Sequence, residues 1–119
     1  MTDYVTTFTY ENEMGLILQA SDEKVMALGE KLESLCPEAY MNGYNWEALL
    51  RYYLEKNAPD ILEGLDPDPE ADMYAAHWPL TPENESKAKR FEEIIRSLIE
   101  DDAALCRLVQ EHGEEIEWD

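Results

Sequence analysis

The stretch MNGYNWEALLRYYLEK, residues 41–56, decides how the middle of this chain is read. Trp46, Leu49, Leu50, Tyr53 and Leu54 fall at i, i+3, i+4, i+7 and i+8, a complete apolar face of a helix. Glu47, Arg51 and Glu55 recur every fourth residue on the opposite side, the first two in the favoured acid-before-base order. Asn45 is the expected N-cap, its side-chain oxygen taking a free backbone N–H of the first turn. Gly43 is expected to let the preceding turn use positive φ. Trp46 then anchors the helix, because an aromatic on an apolar helical stripe contributes mostly burial.

Upstream of this helix the period changes. In DYVTTFTYEN, residues 3–12, Tyr4, Thr6, Phe8 and Tyr10 alternate with Val5, Thr7 and Thr9, which predicts a strand. MGLILQA follows after Glu11-Asn12-Glu13, so the two pair as an antiparallel hairpin with Asn12 suited to the left-handed turn position. Val25, Leu28, Leu32 and Leu35 then mark a helix capped by Ser21 or Asp22 and ended by Pro37.

Downstream, a short helical turn is expected after Ala58-Pro59, up to Gly64. Asp66-Pro67-Asp68-Pro69-Glu70 reads as a proline-stiffened acidic loop, and Met73 to Trp78 as a strand ended by Pro79. Thr81-Pro82-Glu83 opens another helix: cap, proline at the first helical position, acid in the first turn. Phe91, Ile94, Ile95, Leu98 and Ile99 form its apolar face. The pattern leaves 82–100 and 102–112 open as one helix or two; Asp102 would fall on the apolar stripe, which puts the break near Asp101. Gly113 ends the last helix, and Ile116 and Trp118 are candidates for a C-terminal edge strand. The expected fold is α+β: a small antiparallel sheet (N-terminal hairpin, strand near 72–78, candidate C-terminal edge strand) against three to four helices, one domain over residues 1–119.

The apolar share is 45%, enough for a core, while 28 Asp and Glu face nine Lys and Arg for a formal net charge of −19. Such a surface repels nucleic acid and anionic membranes and draws cationic partners with fast, salt-sensitive association. Solubility alone would also be served by it. Between Lys56 and Lys87 there are eight acids and no Lys or Arg, and from Glu111 onward five more. Either both runs are solvated surface, or they are shaped for a basic protein such as the phosphate-holding cleft of a nuclease. Candidate contact residues are Asp66, Asp68, Glu70 and Asp72, with Glu114, Glu115 and Glu117 second.

Catalytic and metal motifs fare poorly. Asp66, Asp68, Glu70 and Asp72 alternate like the first half of a calcium loop, but the sixth position is Ala71 and the twelfth His77, where Gly and Glu are needed. His77 and His112 accompany no nucleophile motif, and His112 at a helix C-terminus complements the dipole there. Neither Cys36 nor Cys106 is bracketed like a zinc ligand; both read as small buried hydrophobes with reduced thiols. The opening residues lack a signal-peptide pattern and no segment has the roughly 20 apolar residues of a membrane span, so a cytoplasmic location is expected.

NGYNWEALLRYYLEKNAPDI, followed by PEADMYAAHW, resembles the immunity protein 51 family of bacterial polymorphic toxin and contact-dependent inhibition systems. The resemblance spans about residues 41 to 78, and its most specific element is the Asn-Gly-Tyr-polar-Trp turn leading into an amphipathic helix. It implies an intracellular antitoxin that binds one cognate toxin domain and blocks it, and it implies no catalytic residues; with the motifs above, no metal and no cofactor are expected. A small enzyme using a buried acid or His77, or a general acidic adaptor, are the competing readings.

Overall fold

A computed structural model describes residues 4–118. Two antiparallel hairpins lie side by side. The first pairs β1 (Val5–Tyr10) with β2 (Glu13–Gln19); the second pairs β3 (Asp66–Pro67) with β4 (Met73–Pro79). β2 and β4 join them antiparallel, giving a four-stranded sheet in the order β1-β2-β4-β3. The first turn is Glu11-Asn12, and its positive φ falls on Glu11, at 54°, rather than on Asn12 as expected.

Period-two alternation settles which face of the sheet is covered. Leu16, Leu18, Tyr74, Ala76 and Trp78 point to one face and are buried there. α4 (Pro82–Glu100) packs across β1 and β2 on that face, and α2 (Gly43–Asn57) against β4. Phe91 of α4 meets Tyr74 and Trp78 edge-on, with ring centroids 6.1 and 6.3 Å away. The opposite face carries Phe8, Ile17 and His77, all half-buried, and the Phe8 ring lies over Gly15, where a Cβ would meet it at 2.3 Å.

α1 (Glu23–Leu35), the short α3 (Pro59–Leu62) and α5 (Asp102–His112) complete the helical layer. Asp22 caps α1, accepting from the backbone N–H groups of Lys24 and Val25. Leu35, the last residue of the expected stripe, is 38% exposed because the helix is already leaving the core there. α4 and α5 are separate helices, as the Asp101 break required: Asp101 closes one through its N–H to the Ser97 carbonyl and caps the other through its side chain. Cys36 and Cys106 are half-buried at the core's edge rather than fully buried.

Three expectations around the central motif and the acidic segments need correcting. The N-cap of α2 is Asn42, whose side chain accepts from the Asn45 N–H at 2.9 Å; Asn45 sits inside the first turn, buried, and its amide donates to the Tyr40 carbonyl at 2.8 Å. Gly43 is not at positive φ. Its role is close approach, because a Cβ there would lie 1.9 Å from the backbone oxygens of both Glu70 and Met73. The acidic segment is a loop only in part. Asp66-Pro67 pairs with β4, and hydrogen bonds from Asp68 N–H to Ala75 and from Glu70 N–H to Met73, both 2.8 Å, extend the ladder to the turn. Prolines are tolerated there because an edge strand need not donate on its outer side.

Among the described residues the expected C-terminal edge strand is also absent. Residues Gly113–Glu115 form a 3₁₀ turn, and the Trp118 indole donates back to the Gly113 carbonyl at 2.9 Å, curling the tail on itself. Ile116 and Trp118 do point inward, but against the helices. Trp46 is 1% exposed, as its place on the stripe predicted. Glu47, expected on the solvent side, is only 9% exposed, because the hairpin covers that flank of α2 and Arg51 pairs with its carboxylate.

Candidate functional site

The basic residues are largely committed inside the molecule. Lys24 holds Glu100 at 2.7 Å, Lys31 holds Asp102 at 2.7 Å, and Arg90 holds Asp60 at 2.6 Å. Arg96 pairs with Glu92 at 3.0 Å, and the buried Lys87 reaches the Glu63 carbonyl and Glu83. Hydrogen bonds from these partners hold the carboxyls of Asp60, Glu100 and Asp102 below the usual range: from Arg90, from Lys24 and then Tyr4, and from Lys31.

The predicted contact residues have a different setting. Asp66, Asp68, Glu70 and Asp72 are all exposed, and none is in an ion pair among the described residues. Strand alternation puts Asp66 opposite His77 and Asp68 opposite Ala75, so both project with the Phe8–His77 face of the sheet. Pro67 turns the other way and lines a cleft of about 230 Å³ with Leu62, Leu65, Tyr74 and Glu47. Burial, followed by the charge of Glu47, raises the pKa of the Tyr74 hydroxyl. Asp72 lies apart from the first three, at the hairpin tip beside α1.

The tail acids divide. Glu114 is exposed, whereas the Glu115 carboxylate accepts from the His112 ring Nδ1 at 2.6 Å, an interaction that lowers its pKa. Glu115 and Glu117 border a small cleft with Arg51, Tyr52 and Glu55 of α2. Arg51 and Glu55 also border the Pro67 cleft, so the hairpin and the tail, far apart in sequence, flank one helix. Asp119 lies outside the described residues.

His77 is half-buried beside a cleft of about 400 Å³ that Glu13 and Asp66 also line. Its Nδ1 stands 3.8 Å from the Glu13 carboxylate, beyond hydrogen-bonding reach, and the Phe8 ring sits 6.3 Å away edge-on. Among the described residues no acid hydrogen-bonds the imidazole as the partner of a general base would. Sequence reasoning missed the burial of Glu47 and the cap at Asn42. The Asn-Gly pair was the available signal for the latter, since Asn leads the N-cap preferences and can stand directly before a helical glycine.

The fold is a small α+β domain with one covered and one open sheet face; among the described residues six of the nine Lys and Arg are in ion pairs, and the four acids along the second hairpin are in none. The family model described as Immunity protein 51 matches residues 6–114, and the chain belongs to that family. Searches of curated proteins and of solved structures found no match.

Proposed function

We propose that this protein is an antitoxin that binds a cognate toxin domain one-to-one and blocks it by covering its working surface. The partner is a basic domain, a nuclease in the reading the charge favours, because a cleft that holds phosphates is cationic and an acidic surface complements it. The protein acts in the cytoplasm, uses no cofactor, catalyses no reaction, and binds neither nucleic acid nor membrane. Among the described residues no helix is long and apolar enough to cross a membrane.

The observation that carries this reading is the division of charge. Six of the nine Lys and Arg are tied to acids within the fold, while Asp66, Asp68, Glu70 and Asp72 stand unpaired among the described residues on a backbone fixed by sheet and helix contacts. A pre-fixed acidic edge loses little conformational freedom on binding. The test is co-purification with the protein encoded by the gene directly upstream, together with rescue of growth when that protein is expressed. Replacing the four acids by Asn or Gln should slow association and flatten its salt dependence. Association that is fast and salt-insensitive in the wild type would refute the electrostatic part of the reading.

A further inference from the structure

The residues of the central turn do more than start a helix. Asn45, buried, holds the Tyr40 carbonyl, and the Asn42 N–H donates to the same oxygen at 2.8 Å. Gly43 admits the tip of the acidic hairpin against the start of α2. Gly29 sits in mid-α1, where glycine is poorly favoured, and a Cβ there would meet the Met41 Cβ at 3.0 Å. Two glycines and a buried amide thus draw α1, the 40–42 turn and the hairpin tip together around one cleft of about 320 Å³.

The chemistry of that cleft is specific. Met26 and Tyr40 are 51% and 65% exposed, large side chains left at the surface beside the half-buried Met41. Glu30, Glu33 and Asp72 stand at its rim, and no Lys or Arg lines it. The neighbouring bases of α1 face elsewhere, Lys24 to Glu100 and Lys31 to Asp102, and none of the three rim acids is ion-paired among the described residues. Tyrosine and methionine are enriched at protein interfaces, and a tyrosine ring next to carboxylates suits a long cationic side chain, its stem on the apolar wall and its charge at the rim.

Resting on the antitoxin reading above, we infer that this cleft receives a lysine or arginine side chain from the basic surface of the toxin domain. Tyr40 is the anchor. Glu30, Glu33 and Asp72 hold the charge. The backbone of the turn is fixed before binding, so the anchor is presented without much ordering cost.

The experiment measures association and dissociation rates for the full chain and the protein encoded directly upstream. Tyr40→Ala should weaken the complex by about 30-fold or more, the size of a hot-spot loss, chiefly by faster dissociation. Glu30→Gln with Glu33→Gln should slow association and reduce its salt dependence. Tyr40→Phe, which keeps the ring, should stay close to wild type. Unchanged thermal melting of Tyr40→Ala, whose side chain is solvent-facing, ties the loss to the interface. Binding within twofold of wild type for both Tyr40→Ala and the double variant overturns the cleft proposal. If Asp66→Asn with Asp68→Asn weakens binding in that same case, the antitoxin reading survives and the interface lies on the hairpin's outer face. No complex with the wild-type chain overturns both.

Discussion

Gly43→Ala offers a direct test of how the hairpin is held. In an unobstructed helix the change would stabilise, since alanine is better than glycine by up to about 1 kcal/mol. Here the new Cβ would lie 1.9 Å from the carbonyl oxygens of Glu70 and Met73. Real contacts of this kind do not fall below 3.0 Å, so the hairpin tip must retreat by about 1.1 Å. Backbone cannot rotate aside as a side chain can. Overpacking of this sort costs about 1–3 kcal/mol and sometimes more. The retreat also strains the bond from the Gly43 N–H to the Ala71 carbonyl, 3.2 Å long, worth roughly 1 kcal/mol. With the propensity gain subtracted, the net loss is about 1–3 kcal/mol, or on the order of 4–12 °C in melting temperature for a domain of this size. Urea denaturation followed by far-UV circular dichroism measures it. Gly64→Ala serves as the contrast: φ is +78° and nothing lies within 4 Å, so only backbone strain of about 1–2 kcal/mol applies. A midpoint for Gly43→Ala equal to or above wild type would refute the close approach.

Trp46→Ala should cost about 3–5 kcal/mol by chemical denaturation, and a loss under about 1 kcal/mol would put that ring at the surface. Trp78→Phe should cost about 1–3 kcal/mol more than Trp46→Phe, because the Trp78 indole donates to the Ile61 carbonyl at 3.1 Å whereas the Trp46 Nε1 has no acceptor among the described residues. Equal losses would contradict that asymmetry. Asp60, Glu100 and Asp102 have folded pKa values lowered by their basic partners. The stability they contribute is therefore present above their unfolded values near pH 4 and lost as pH falls through the lowered ones. Neutralising all three should flatten the acid limb of a stability–pH profile; an unchanged slope below about pH 4 would count against the pairs. Calcium and chelators should leave the melting temperature unmoved, since the acidic segment runs along a sheet edge and lacks a calcium loop's Gly and Glu. A calcium-dependent rise of several degrees at sub-millimolar ion would overturn this.

Periodicity was enough for the elements that bury one regular face. The 3.6-residue stripes from Val25 to Leu32, Trp46 to Leu54 and Phe91 to Ile99, and the alternation in both long hairpin strands, predicted helices and strands that the structure contains. The cap at Thr81 and the stop at Asp101 were legible for the same reason, and the cap of α1 was narrowed to Ser21 or Asp22, because each acts within one turn of chain. The net acidity and the two base-free runs were likewise plain in the sequence.

What tertiary structure alone decided involves partners distant along the chain. Asp66-Pro67 became a strand because β4 offered it an edge; two prolines and three acids carry no strand signal of their own. The tail curled into a 3₁₀ turn instead of pairing, since Ile116 and Trp118 found their apolar contacts among the helices. Glu47 was buried by a hairpin about twenty residues further on, and Gly43 and Gly29 owe their roles to segments that only the fold brings near. Composition could say that the surface is acidic. Only the packing of α1, the 40–42 turn and the hairpin tip could say that three unpaired acids and an exposed tyrosine line one cleft, because local sequence sets which way a side chain points on its own element but not which other element it meets.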